Sequence, residues 1–106
     1  MFARNVSVRL KPNSLSQFTQ TFDKDVLPIL RKQAGFRDEI TLASEDGMHV
    51  TAISIWETKE QAEAYNVAAY PDVLKSLEKV LDGAPKVRLT KVTNSTLHKL
   101  TVVAAA

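Results

Sequence analysis

The stretch Met48–Ala62, MHVTAISIWETKEQA, decides the fold. Successive side chains of a strand point to opposite faces, and no Asp, Glu, Lys or Arg interrupts the run up to Trp56. One face carries Val50 and Trp56, and the other carries Ile53 and Ile55. A strand with one wet face would alternate apolar with charged residues. The pattern therefore predicts a central strand that is covered on both sides.

Capping patterns predict where two helices begin. Thr58 and Gln61 have the spacing of a capping box, and Ser14 and Gln17 repeat it earlier in the chain. The first helix should run to about residue 33, and it contains Pro28. Because proline lacks an amide hydrogen and its ring clashes with the carbonyl four residues back, we expect a kink between residues 24 and 28.

The remaining segments complete an alternation of strands and helices. Period-two patterns predict further strands at 2–10, 37–44 and 86–93, and an Asp-Gly pair predicts a hairpin turn at 45–47. Pro71 should start a second helical segment after the one that begins at Lys59. The resulting order is β-α-β-β-α-β, an α+β, ferredoxin-like arrangement with an antiparallel sheet.

This arrangement leaves one face of the sheet without a helix, since right-handed crossovers place both helices on the same side. The central strand is nevertheless apolar on both faces. A large exposed apolar surface is unusual on a monomer, and a second copy of the same sheet is the simplest cover. The pattern therefore predicts a homodimer joined sheet to sheet.

Composition limits the classes of function. The 106 residues predict a single domain, 1–106, whose last part, 94–106, is an arm or an extra strand. Net charge is +2 and the basic residues are dispersed, so no nucleic-acid partner is expected. No apolar run has the length of a membrane span and the first residues lack a signal-peptide pattern, which predicts a cytoplasmic protein without membrane contact.

Three segments carry a resemblance to a known family. They are VRLKPNSLSQF, VLPILRKQAGF and ISIWETKEQAEAY. In these segments the chain resembles the antibiotic biosynthesis monooxygenase-like domains of the dimeric α+β barrel superfamily. The resemblance implies two sheets that form a dimeric barrel, with a small-molecule pocket between helices and sheet in each subunit.

The family includes cofactor-independent oxygenases, quinol oxygenases and haem-degrading enzymes. Many members carry histidines nine and fourteen positions after the tryptophan that ends the strand, where this chain has Tyr65 and Tyr70. A phenol with a pKa near 10 is a poor base at neutral pH. No histidine lies between Lys59 and Gly83 to hold haem, and no Gly-rich phosphate loop is present. We therefore expect no cofactor, and haem degradation is disfavoured.

Six residues are candidates for a site, and each of them could instead have a purely structural role in the core or at the surface. His98 would be the general base if the tail closes over the pocket, and it is otherwise a surface histidine. No metal site is expected, because the two histidines have no ligand spacing. The candidates are, as catalytic residues, His98 and Tyr65, and, as substrate-binding residues, Asn5, Trp56, Tyr70 and Arg88.

Two functions fit these observations. The first is a cofactor-independent monooxygenase that acts on a phenolic or quinol-type small molecule, whose own electrons would replace those of a cofactor. The alternative is a non-catalytic, dimeric small-molecule-binding or stress-response protein of the same fold, which the missing helical histidines favour.

Overall fold

The four strands form one antiparallel sheet in a computed structural model, which describes residues 1–98. The spatial order of the strands is β2-β3-β1-β4, so the uncharged strand that ends at Trp56 occupies a central position, as predicted. The predicted order of elements is confirmed. The strands are β1 (Phe2–Arg9), β2 (Phe36–Ala43), β3 (His49–Trp56) and β4 (Lys86–Lys91).

The helices cover one face of the sheet, and the core lies between the two layers. Trp56, Leu10, Val26 and Val50 are its fully buried large side chains. A break separates the third helix from the fourth, which begins next to Pro71 as the sequence predicted. The helices are α1 (Leu15–Thr21), α2 (Leu27–Arg31), α3 (Lys59–Ala68) and α4 (Tyr70–Leu77).

The predicted kink before Pro28 takes the form of a π-helical turn, Phe22–Val26, between α1 and α2. Pro28 has no amide hydrogen to donate to the carbonyl of Lys24. The turn widens instead, and the Leu27 amide donates to the Phe22 carbonyl, five residues back. The predicted single helix is therefore two α-helices that this turn joins.

The two capping patterns differ in outcome. The Thr58 hydroxyl accepts a hydrogen bond from the backbone amide of Gln61 at 3.2 Å. The Gln61 side-chain oxygen accepts none, so only one of the two hydrogen bonds of that capping box forms. The Ser14 prediction was wrong, since its hydroxyl donates to the Pro12 carbonyl at 3.4 Å and no side-chain cap forms.

The second face of the sheet carries apolar side chains that no helix covers. Ile40 and Leu42 of β2 are 54% and 51% exposed, and Ile53 and Ile55 of β3 are half-buried beside them. This face is the one for which the sequence predicts a second copy of the chain.

Within residues 1–98 no helix is long and apolar enough to cross a membrane. Residues 94–98 of the predicted arm or extra strand are not in a strand, and the rest of that segment, 99–106, lies outside the described residues.

Gly35, after α2, is a position where a side chain should be strongly destabilising. Its φ is +81°, and a Cβ there would overlap the Gln61 amide group. Gly35→Ala should lower the free energy of unfolding, measured in urea, by at least the roughly 1–2 kcal/mol cost of a left-handed residue. Gly83→Ala is the control, because φ is +91° and nothing lies within 4 Å of the added carbon. Equal losses in the two variants would contradict a role for the Gln61 contact.

Candidate active site

A cavity of about 40 Å³ lies between the helices and the sheet. Apolar side chains of β1, α1, the π turn and α4 line most of it. The polar groups in its lining come from five residues on five different elements. They are Arg4, Glu39, Ser54, Tyr65 and Tyr70.

Arg4 of β1 is a buried cation at this cavity, with 4% of its surface exposed. Its Nη2 donates to Asn66 Oδ1 at 2.7 Å, and its Cζ lies 3.9 Å from the centre of the Tyr70 ring and 5.1 Å from that of Tyr65. No ion pair among residues 1–98 involves Arg4. Two aromatic faces and one amide therefore stabilise the guanidinium without a carboxylate partner.

The two tyrosines meet because the chain breaks between α3 and α4. Five residues apart on one straight helix, Tyr65 and Tyr70 would not share a face. Ala69 leaves the helical conformation with φ −121° and ψ −30°, and the two ring centres are 6.2 Å apart at the cavity. Burial raises the pKa of Tyr65 to about 12 and also raises the pKa of Tyr70, in both cases against the opposing effect of Arg4. Both phenols are therefore protonated at neutral pH, and each has a hydrogen that it could donate to a ligand.

The Tyr70 hydroxyl is buried and makes no hydrogen bond of ordinary geometry with a described residue, although the nearby Arg4 guanidinium opposes the rise of its pKa on burial. Tyr70→Phe should therefore raise the free energy of unfolding of the ligand-free protein by about 1 kcal/mol, since an unsatisfied buried hydroxyl costs about 1–3 kcal/mol. Urea unfolding measures the change. Tyr65→Phe is the comparison, because its hydroxyl is not among the buried unpartnered atoms. A loss of stability in Tyr70→Phe would show that the hydroxyl is satisfied.

Three polar residues of the cavity lie in one row across the sheet. Glu39 of β2 pairs with Ser54 of β3, and Ser54 pairs with Arg4 of β1. The Ser54 hydroxyl accepts from the Trp56 indole at 2.8 Å, which leaves its own hydrogen available. Burial raises the pKa of Glu39, although the hydrogen bond from Thr41 opposes this effect. We call these three residues the polar row.

Three predicted site residues lie on the opposite face of the sheet. Asn5 and Arg88 are cross-strand neighbours there, and Asn5 Nδ2 donates to Thr90 Oγ1 at 2.9 Å. His98 Nε2 contacts the Asp38 carboxylate on that same face. The structure therefore does not bring Asn5, Arg88 or His98 into the cavity.

Trp56 lies behind the cavity, where its exposed fraction is 0%. Its ring centre is 5.0 Å from that of Tyr65, and the edge of Phe36 packs against it. This contact places Trp56 in the core, where it supports the tyrosine ring and orients Ser54 through the indole hydrogen bond.

Sequence reasoning missed Arg4, Glu39, Ser54 and Asn66. Strand alternation carries a signal for one of them, because Arg4 shares the apolar face of β1 with Val6. Alternation misleads for Glu39, because the apolar Ile40 and Leu42 lie on the other face of β2 and are exposed. No sequence pattern indicates the Asn66 hydrogen bond, which joins residues 62 positions apart. Among the described residues, no group of three or more His, Asp or Glu side chains could hold a metal ion.

The chain is similar to proteins of known structure. No family model matches the sequence, and no curated protein matches it. A monooxygenase from Streptomyces coelicolor, ActVA-Orf6, solved with the ligand Nanaomycin D, superposes with a TM-score of 0.76 and 20% identity over 92% of each chain. The chain has the fold of the antibiotic biosynthesis monooxygenases. The resemblance predicted from the sequence is thereby confirmed for the fold.

Two further solved structures superpose on most of this chain. SnoaB, a cofactor-independent oxygenase from Streptomyces nogalater, has a TM-score of 0.74 and 11% identity, with 92% of this chain and 97% of that chain covered. A protein of unknown function from Nitrosomonas europaea has a TM-score of 0.75 and 12% identity, with 92% and 94% covered. At these identities the shared feature is the fold.

Proposed function

We propose that the protein is a cofactor-independent monooxygenase that oxidises a phenol or a quinol in the cavity. The observation that supports this proposal is the buried guanidinium of Arg4, which has no carboxylate partner among residues 1–98 and lies in an otherwise mostly apolar lining. An opposite charge in a dry site favours the ionised form of a bound phenol. The anion of an electron-rich phenol or of a quinol can reduce dioxygen without a cofactor.

The reaction balances with dioxygen as the only oxidant. A phenol loses the hydrogen of its hydroxyl and one ring hydrogen, together with four electrons in all. One oxygen atom becomes the new carbonyl oxygen of a quinone, and the other leaves as water with the two hydrogens. The protein has to bind, ionise and shield the substrate, and the buried lining supplies the shielding.

The size of the cavity means that binding must widen it. A cavity that binds benzene in another protein measures about 150 Å³, whereas this one measures about 40 Å³. Arg4 also lines an outer groove of about 380 Å³, together with Asn66. Arg4 therefore borders both spaces.

Two structural relatives support the class of reaction. The Streptomyces coelicolor protein is a monooxygenase that was solved with a ligand, and the Streptomyces nogalater protein is a cofactor-independent oxygenase. Neither superposition transfers a substrate at 20% and 11% identity.

Oxygen uptake tests the proposal. The purified protein, dialysed against a metal chelator, is mixed with a series of naphthols and hydroquinones in an oxygen electrode, with and without catalase. We expect uptake above the spontaneous rate for at least one compound, a quinone product, and no oxygen returned by catalase. Oxygen returned by catalase would show that peroxide forms and that no oxygen atom enters the product.

The alternative, a non-catalytic binding protein, is favoured by the lining itself. None of the described residues around the cavity is a histidine, and the raised pKa values of both tyrosines keep them from acting as bases. Saturable binding of phenols without any oxygen uptake above the spontaneous rate would support this alternative and contradict the monooxygenase.

We also propose that the second face of the sheet is the interface of a homodimer. Ile40, Leu42, Ile53 and Ile55 form an apolar patch there on two adjacent strands. A second copy of the same face presents the same strands and can cover its partner across a twofold axis.

A further inference from the structure

The polar row, Glu39–Ser54–Arg4, stands out on a face of the sheet that is otherwise mostly apolar. The next row on the same face is Thr41, Ala52 and Val6. Neighbouring strands lie about 4.8 Å apart, so the Cα atoms of Glu39 and Arg4 are separated by about 10 Å with Ser54 between them. The Glu39 carboxylate and the Arg4 guanidinium thus border one cavity without forming an ion pair with each other.

We infer that the polar row is the binding site for the ionisable hydroxyl group of the ligand, with Glu39 as the proton acceptor and Arg4 and Ser54 as the groups that hold the resulting oxygen anion. The inference names the chemical group that the site selects, a weakly acidic aromatic hydroxyl, and it rests on the proposed function only for the choice of a phenol. In the proton transfer the ligand O–H bond breaks, its electron pair stays on oxygen, and the proton moves to a Glu39 oxygen.

The hydrogen bonds of the row suit this division of roles. Ser54 Oγ already accepts from Trp56, so its remaining hydrogen can point at a ligand oxygen. Arg4 uses Nη2 for Asn66, which leaves other N–H groups of the guanidinium for the same oxygen. Glu39 accepts a hydrogen bond from Thr41 at 2.8 Å, and a carboxylate has further lone pairs to accept a proton.

The surroundings of Glu39 favour a carboxylate that binds a proton more readily than usual. Burial is the largest cause of its raised pKa, and Asp23 of the π turn adds to it. The other charged and titratable groups at the same cavity are Arg4 of β1, Tyr65 of α3 and Tyr70 of α4. A higher pKa brings the carboxyl closer in acidity to a phenol, which makes the transfer easier.

A binding experiment with 4-nitrophenol tests the inference without oxygen chemistry. Its nitro group withdraws the electrons that dioxygen would need, and its ionised form absorbs visible light. Binding is measured at a pH between the pKa values of Glu39 and of the free probe, so that the free probe is neutral. Calorimetry in two buffers of different ionisation enthalpy then counts the protons released on binding.

The wild-type protein should bind the probe in its coloured, ionised form and release no proton, because Glu39 keeps it. Arg4 should lower the pKa of the bound probe by roughly 1–3, as a nearby opposite charge does. Glu39→Gln should still bind the ionised probe but release one proton for each molecule bound. Arg4→Met should bind the probe, if at all, in its colourless form.

Two variants at exposed positions serve as controls. They are Glu45→Gln, at the hairpin turn, and Arg9→Met, on the same strand as Arg4. Both should match the wild type in the colour of the bound probe and in the number of protons released. Thermal unfolding of each variant checks that it is folded. A colourless bound probe in the wild type, or the same proton count in Glu39→Gln as in the wild type, would overturn the inference.

The measurements distinguish failure of the proposed monooxygenase activity from failure of the role of the polar row. Ionised, proton-neutral binding of the probe without oxygen uptake for any phenol would leave the polar row intact and remove the monooxygenase. Oxygen uptake with an unaltered rate in Glu39→Gln would retain the monooxygenase and remove Glu39 as the proton acceptor.

Discussion

Replacing Arg4 with methionine should lower kcat/KM for phenol oxidation by about 100- to 1000-fold, the usual effect of removing one group that stabilises an oxygen anion. The same change should not lower thermal stability. Arg4 is 4% exposed and has no carboxylate partner in the described part of the chain, so methionine replaces a desolvated charge with a shorter, apolar side chain. Asn66, which loses its donor, is exposed and can bond to water.

Arg9→Met is the matched control for this prediction. Arg9 lies on the same strand, its side chain is 56% exposed, and it pairs with Asp82 at 3.6 Å. Its replacement should change neither kcat/KM nor thermal stability by much, since exposed ion pairs contribute about 0–1 kcal/mol. Full activity in Arg4→Met, or a large fall in its melting temperature, would show that Arg4 serves the fold and not the reaction.

Ile53→Glu should convert the proposed homodimer into a folded monomer at micromolar concentration. Ile53 lies on the second face beside Ile40, which is 54% exposed. In a dimer the new carboxylate would be buried without a partner, at a cost of several kcal/mol. In the separate chain it reaches water, so circular dichroism should retain the spectrum of the wild type. Light scattering measures the mass of each species.

Val67→Glu is the control for the assembly experiment. Val67 is also an exposed apolar residue, at 77%, but it lies on α3, on the other side of the sheet. Its replacement should leave the dimer intact. A wild-type protein that is monomeric at micromolar concentration would contradict the proposed interface, whatever the mass of the variants.

Most of the fold could be predicted because alternation and chain breaks are local signals. The uncharged run of β3 indicated its central position, and Pro28 and Pro71 marked the interruptions that the structure has. The Ser14 cap could not be predicted correctly, because its hydroxyl turns back to the Pro12 carbonyl. Spacing alone does not show which of two competing acceptors a hydroxyl uses.

The site was less predictable, because its geometry depends on contacts between distant segments. The sequence marks both Tyr65 and Tyr70 as candidates for the site, and their rings do meet at the cavity. His98 was chosen for its chemistry, but its position depends on the path of the tail, which no periodicity describes. The sequence does not indicate a site role for Arg4, because the role of a charge on an apolar strand face depends on its neighbours across the cavity, Tyr70 and Asn66.

The position of Trp56 has a practical consequence for spectroscopy. It is the single tryptophan of the chain, it is fully buried, and its ring lies 5.0 Å from that of Tyr65 at the cavity wall. Intrinsic fluorescence excited in the indole band therefore comes from one site next to the bound ligand. A nitroaromatic or quinone in the cavity should quench this emission, so occupancy can be followed in real time on the unlabelled protein.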